Sequence, residues 1–351
     1  MPTTIAMPGQ HVRGSIMKIK MTLLAAAVAM SSGYAVASDD NTAVVGQTGW
    51  GNDASVDQQS GGNHNASVTQ ILVGNDAAVV QAGNSQNATH FQYGWGNESV
   101  SEQDGRNNTV NVTQWGAHND STVVQDGRRN MATVDQYGRR NVSLVKQDGY
   151  RHSATVLQTN RSNDSNIKQS GYRQIANVSQ TGSYNDVNID QVNGGWFGGL
   201  NIANVSQTGF GGNGDIEQSG FHNITDVDQG GSFNDVDVRQ TGSLNYADVD
   251  QTGTGDYALV SQYGLLNESY VEQSGYYNDA DISQSGWYNT SNVNQSGWFD
   301  DASVAQSGVN NMSSITQSGG FLNTASHVQT GSNNVATTTQ TGSFNNASIV
   351  Q

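Results

Sequence analysis

Gln125-Asp-Gly-Arg-Arg-Asn-Met-Ala-Thr-Val-Asp-Gln136 is the stretch on which the reading of this chain turns. It begins and ends on glutamine, and the same step recurs from Gln47 to Gln351. Of the 27 intervals in that series, 24 are 11 residues long, so one unit has been copied along nearly the whole chain. The departures are one extra residue at Gln58/Gln59, 16 residues from Gln191 to Gln207 and 12 from Gln317 to Gln329. A function carried by such a chain belongs to the stack of units and not to one pocket.

Aligned on its glutamine, the unit reads Q-x-G-x-x-N-x-[AS]-x-[VI]-x-Q. Asn, the small residue, Val and Gln alternate with variable polar positions, which is the period of a half-buried strand. The Gly-containing segment supplies the turn, because glycine takes φ > 0 at little cost. No stretch shows a helical period. One unit is a strand plus a turn, and two units, 22 residues, close a flattened coil. The expected fold is therefore all-β, a β-solenoid in which 28 glutamines, two to a coil, make about 14 coils. At about 4.8 Å per strand layer the stack stands roughly 65 Å tall, and in an assembled fibre it is cross-β.

The inward places are filled by Val112, Val123, Val134, Val145, Val249, Val271, Ile282 and Val293 and their equivalents, which predicts a thin, dry, apolar zipper. Amides stand at its margins: Gln103, Asn108, Gln114, Asn119, Gln125, Asn130, Gln136, Asn141, Gln240, Asn245, Gln273, Asn278, Gln284, Asn289, Gln340, Asn345 and Gln351. Buried amides are costly unless paired, and a column of identical amides lets each bond the one above and below. The motif runs through Gln351, so the last strand presents an unpaired, in-pattern edge. β proteins usually block such edges because they template another chain. The expectation is a polymer subunit.

Composition agrees with a secreted chain. Met17-Lys-Ile-Lys20, the apolar run Leu23 to Met30 and Ala35-Val-Ala37 read as a signal peptide cut after Ala37, with the natural start at Met17. Residues 1–37 then fall outside the fold, 38–46 form a short leader and 47–351 the repeat domain. There is no second long apolar run, so no membrane span is expected. With hydrophobic residues at 34% and 42 glycines, the chain resembles disordered ones in composition, but disorder requires no strict period. It has no cysteine, so disulfides do not hold it together.

Charge varies along the stack although the net is −16. Ten of the basic residues lie between Arg106 and Arg173, against five acids there; from 174 onward there are 17 acids and one arginine, Arg239. Residues 22 apart are vertical neighbours, so Arg129, Arg151 and Arg173 form one turn column, and Arg139 sits beneath Arg161. Asp226 and Asp228 stack on Asp248 and Asp250, with Glu272 next, a weak candidate cation grid. Like charges on the outer face also slow premature assembly. The arginine columns would suit a polyanion such as extracellular DNA or an acidic polysaccharide.

Other signals weigh less. Trp50, Trp95, Trp287-Tyr288 and Trp298-Phe299 lie in turns and fill them, with bundling or adhesion as an alternative use. Gly211-Gly-Asn-Gly-Asp215 is one copy of a calcium-repeat pattern that needs tandem copies. His64 and His152 take the Asn place, while His90 and His327 take the inward apolar place; they sit on different coils and form no metal site. The inward pair would resist charging and loosen locally near pH 6 or below. The long insertion Gly194-Gly-Trp-Phe-Gly-Gly199 reads as a bulge. No nucleophile–base set or phosphate loop stands off the repeat, so neither an enzyme nor a cofactor is expected.

At this point a family resemblance enters. Gln47-Thr-Gly-Trp-Gly-Asn-Asp-Ala-Ser-Val-Asp-Gln58 and Gln240-Thr-Gly-Ser-Leu-Asn-Tyr-Ala-Asp-Val-Asp-Gln251 resemble the curlin repeat of bacterial curli, most like an extended major curlin. The resemblance covers 47–351 and implies a secreted functional amyloid of the biofilm matrix of a Gram-negative bacterium. It also implies partners: other copies of the chain, a minor curlin nucleator, an outer-membrane secretion pore and periplasmic chaperones. Familiar curlins carry far fewer repeats and a Gly-rich leader, so this is a longer relative with a short leader. The alternative is a monomeric secreted β-solenoid, an adhesin or an ion- or polysaccharide-binding module. Ice binding would need columns of T-x-T, and only Thr337-Thr-Thr339 approaches that.

Overall fold

Alternation of buried and outward residues governs the strands inside the stack. In Met131–Arg139 (MATVDQYGR), Ala132, Val134 and Gln136 are buried while the residues between them face outward. The structure, a computed structural model, describes residues 40–59, 61–193 and 199–351. The signal peptide 1–37, its cut after Ala37 and Gly194–Gly198 of the insertion lie outside the described residues.

The described residues form 28 strands, beginning with β1 (Thr42–Trp50) and β2 (Asp53–Gln58) and ending with β27 (Val335–Thr341) and β28 (Asn346–Val350). The odd strands make one 14-stranded parallel sheet and the even strands another. The chain is an all-β solenoid of 14 two-strand coils, with no helix among the described residues. β1 opens at Thr42, inside the 38–46 segment, because the strand of each unit precedes its glutamine. Asn41, Ala43 and Val45 already occupy the Asn, small and apolar places.

Register follows the glutamine beat. Gln125 pairs with Gln147, and across the long insertion Gln180 still pairs with Gln207. The insertions are absorbed in turns, since a one-residue slip within a strand would turn its buried face outward. Between the sheets lies one layer of Val, Ile and Ala; Val112, Val123, Val134, Val145, Val249, Val271, Ile282 and Val293 are all in it.

The turns correct the sequence expectation. In many units the glycine two after glutamine has a positive φ, 131° at Gly94, 111° at Gly127 and 129° at Gly138, and its missing Cβ matters for stacking: at Gly127 a Cβ would lie 2.1 Å from the Gly149 carbonyl oxygen of the next coil. The left-handed residue proper is the fourth after glutamine, and it is seldom glycine. Arg129, Arg151, Tyr277 and Phe344 hold φ of 59°, 61°, 55° and 58°. That strain, about 1 kcal/mol each, is offset because their N–H groups bond carbonyls of the preceding coil, as Arg129 does to Arg106 at 2.9 Å.

Candidate assembly site: amide columns and charged edges

Glutamine makes two continuous ladders. In each sheet the Nε2 of every glutamine of the repeat donates to the Oε1 of the glutamine one coil on, at 2.7–3.1 Å, over 13 links without a gap. The second amide hydrogen goes to a backbone carbonyl of the facing sheet, as from Gln125 to Thr109 (3.0 Å) and from Gln273 to Tyr257 (2.9 Å). Each glutamine therefore ties its coil to the next and one sheet to the other. Gln103, Gln114, Gln125, Gln136, Gln240, Gln273 and Gln284 are buried; Gln340 is 5% exposed and Gln351, on the last coil, is exposed.

Asparagine makes the expected amide-to-amide bonds along part of its column, as from Asn119 Nδ2 to Asn97 Oδ1 (3.1 Å) and from Asn289 Nδ2 to Asn267 Oδ1 (3.1 Å), but a backbone contact is more regular. Its Oδ1 chiefly accepts the backbone N–H of the equivalent residue one coil on: Asn130 to Asn108 (3.0 Å), Asn141 to Asn119 (3.1 Å), Asn267 to Asn245 (3.1 Å) and Asn311 to Asn289 (3.1 Å). Its Nδ2 caps turn carbonyls, as Asn130 does with Asp126 (3.0 Å) and Gly149 (3.3 Å). Asn278 accepts from Asp300 N at 3.1 Å, and Asn345, in the last coil, caps Thr341. The asparagine backbone N–H is the one a turn leaves without a strand partner, which is why an amide is needed there. Both columns are directional: glutamine side chains donate toward the C-terminal end, and asparagine side chains accept from it.

The inward histidines are not bare. His90 Nδ1 and Nε2 meet Ser99 Oγ (2.7 Å) and Ser101 Oγ (3.0 Å), and His327 meets Ser313 (2.8 Å) and Thr338 (2.7 Å). The clue in sequence was that Ser101 and Thr338 stand where a unit has Val. Burial still pushes the His90 pKa down to about 4 and lowers that of His327. His64 and His152 substitute in the Asn column, each followed one coil on by a glutamine, Gln86 or Gln174, whose N–H approaches the Nδ1.

Comparison with known families fits this geometry. The curlin associated repeat model matches residues 39–71, 105–138, 213–242, 231–264, 245–275 and 256–286. The chain carries curlin associated repeats in these segments. No curated protein matches it significantly. The curlin family is structural and extracellular, and the β-solenoid is a structural architecture. No helix among the described residues is long and apolar enough to cross a membrane.

The outer faces of this curlin-repeat solenoid carry the charge. Arg129, Arg151 and Arg173 are exposed in consecutive coils of one edge; Arg151 and Arg173 lie over the rings of Tyr150 and Tyr172, 5.1 and 5.5 Å from their centroids. The two rings stack at 5.0 Å, and Arg129 Nη1 donates to the Tyr150 hydroxyl at 3.1 Å. Arg139 pairs in register with Arg161. In the same basic stretch Lys168 forms an ion pair with Asp190 at 3.2 Å.

The aspartate grid is in register: Asp226 neighbours Asp248, and Asp228 neighbours Asp250, which neighbours Glu272. The Tyr246 hydroxyl donates toward Asp226 (3.3 Å) and Asp248 (3.2 Å), and no three His, Asp or Glu side chains among the described residues gather as a metal site. Partial burial, with neighbouring carboxylates, raises the pKa of Asp248 and Asp250. Sequence reading missed a second acidic row. Asp53, Asp76, Glu98 and Asp120 stack in consecutive coils at the start of the even strands. The signal was there, six after glutamine in every other unit, but only the two-sheet alternation makes those units neighbours.

Proposed function

We propose that this protein is a structural subunit of a curli-like extracellular amyloid fibre, built by head-to-tail addition of copies. The observation that carries it is the direction of the amide columns. The C-terminal face of the stack offers glutamine donors at Gln340 and Gln351 and an asparagine acceptor at Asn345. The N-terminal face offers the acceptors Gln47 and Gln58, whose own Nε2 groups already donate to Gln70 and Gln81. Unlike faces match column by column, Gln340 over Gln47 and Gln351 over Gln58, with Ala347 and Ile349 over Ala54 and Val56. Like faces would set donor against donor. Because the described strands make whole coils, a joint keeps sheet on sheet, and each added copy presents a fresh edge. Secretion through a signal peptide and an outer-membrane pore, chaperoning in the periplasm and nucleation by a minor curlin belong to the same reading. So do a biofilm matrix location and the absence of catalysis.

The test is seeded growth of residues 38–351 followed by thioflavin T. Gln340→Ala, Asn345→Ala and Gln351→Ala together should slow elongation several-fold more than Gln240→Ala, Asn245→Ala and Gln251→Ala. Equal slowing, or seeds that fail to abolish the lag, would refute templated end growth.

A polyanion-binding role for the arginine edge rests on a separate observation: the guanidiniums of Arg129, Arg151 and Arg173 are exposed, aligned and without carboxylate partners within ion-pair distance. Binding of polygalacturonate that falls steeply with salt and is lost in the triple Arg→Gln variant would support it. The Asp226, Asp228, Asp248 and Asp250 grid is kept as a cation-binding proposal, tested by calcium titration of Asp248→Asn.

A further inference from the structure

Along one edge of the stack the asparagine column reads Asn234, Asp256, Asn278, Asp300, Asn323. Two carboxyls stand where the repeat calls for an amide. Asp256 and Asp300 are 0% and 1% exposed, as buried as the asparagines around them. Their Oδ1 atoms do what asparagine does. Asp256 accepts Asn278 N–H at 2.9 Å, and Asp300 accepts Asn323 N–H at 3.0 Å and Nδ2 at 2.9 Å.

Their Oδ2 atoms are the anomaly. Nδ2 of Asn234 donates to the Gly230 carbonyl at 2.6 Å and the Gly253 carbonyl at 3.3 Å; Nδ2 of Asn323 donates to the Gly342 carbonyl at 2.8 Å. At Asp256 and Asp300 an oxygen takes the place of that donor, and neither oxygen meets a hydrogen-bond donor in bonding geometry. The position is fixed by the neighbouring turn: a Cβ on Gly253 would lie 2.1 Å from Asp256 Oδ2 and 2.2 Å from the Gly275 carbonyl oxygen. On Gly297 it would lie 2.2 Å from Asp300 Oδ2 and 3.2 Å from the Gly320 oxygen. An ionised carboxylate there sets its charge beside a carbonyl dipole with no cation near it. A protonated one has an O–H where asparagine has its N–H.

We propose that Asp256 and Asp300 are held as neutral carboxylic acids in the folded stack and form a proton-operated latch, closed in acid and loosened on ionisation. Burial raises the pKa of both, against the smaller opposing pull of the Asn278 amide on Asp256 and of the Asn323 and Gly297 amides on Asp300. Charged neighbours do not account for it. The column mates are amides, and Asp235, Asp279 and Asp301 begin the following strands on the outer face. The other titratable residues nearby are Tyr276 and Tyr277 in the adjoining turns and Tyr257, whose pKa burial raises further. A carboxyl whose folded pKa is raised stabilises the fold below its unfolded pKa, and that stabilisation is lost as pH rises through the folded value. The latch acts on the coils from Tyr246–Gln251 to Thr324–Ser332. This proposal concerns the single chain and holds whether or not the chain forms fibres.

The experiment is hydrogen exchange with mass spectrometry on the full chain from pH 4 to 8, corrected for intrinsic rate. It compares wild type, Asp256→Asn/Asp300→Asn, and the outer-face control Glu268→Gln/Asp301→Asn, both exposed. In wild type, peptides from 246–332 should lose protection with rising pH relative to 87–161, about tenfold for each unit by which a folded pKa is raised. The Asp256→Asn/Asp300→Asn variant should flatten that profile and match wild type at acid pH, while the control keeps it. The infrared band of protonated carboxyls should also persist to higher pH in wild type than in that variant. A wild-type profile that survives in Asp256→Asn/Asp300→Asn, or is abolished equally by the control, would overturn the proposal.

Discussion

Replacing Gln273 with alanine should cost far more than its polar character implies. Gln273 is fully buried; it accepts from Gln251 at 2.8 Å and donates to Tyr257 O and Gln295 Oε1, both at 2.9 Å. Alanine removes these bonds and leaves a donor of Gln251 and the acceptor of Gln295 buried and unmatched. Two stranded groups at about 1–3 kcal/mol each set the loss at about 4 kcal/mol. Neighbouring coils in a solenoid are coupled chiefly pairwise, so the loss should stay local. Hydrogen exchange should show it as roughly 10³-fold faster exchange in Tyr246–Gln251, Glu268–Gln273 and Thr290–Gln295, with coils near Gln125 unaffected. Gln273→Leu separates bonding from volume: it refills the space yet strands the same groups, so it should recover no more than about 1 kcal/mol. The reasoning fails if leucine restores wild-type protection, or if alanine costs no more than Ser283→Ala on the outer face.

Three further outcomes follow from the turns and the histidines. Gly127→Ala forces a Cβ to 2.1 Å from the Gly149 oxygen at a φ of 111°, and should destabilise the chain by about 3 kcal/mol in urea unfolding. Arg129→Gly should instead stabilise by about 1 kcal/mol, because the left-handed strain at φ 59° is relieved. His90 keeps its pKa near 4 in the fold against 6.5 in the unfolded chain. Its contribution is therefore full above pH 6.5 and is lost as pH falls toward 4, by about 3 kcal/mol in all. The variant His90→Val/Ser99→Ala/Ser101→Val should remove that acid slope from the urea midpoint, and an unchanged slope would place it elsewhere.

These opposing signs explain why the sequence expectation of acid loosening near pH 6 was incomplete. It weighed only the histidines. Asp256 and Asp300 respond in the other direction, and a single-letter change from Asn to Asp at a known column position was the available signal. What it means depends on the atom facing Oδ2, which only the stacked turn supplies.

The 11-residue beat determined, without coordinates, the strand period, the two-sheet coil, the 22-residue register and the identity of the inward residues, because all are consequences of alternation and repetition. Tertiary structure decided what repetition leaves open. It gave the direction of the amide columns, since a period is the same read along either hydrogen-bond polarity. It placed the left-handed φ on Arg129 and Phe344, since the crowding of glycine against the next coil, and not residue preference, sets the turn. It paired His90 with Ser99 and Ser101, because contacts across the zipper join residues whose partnership only folding creates.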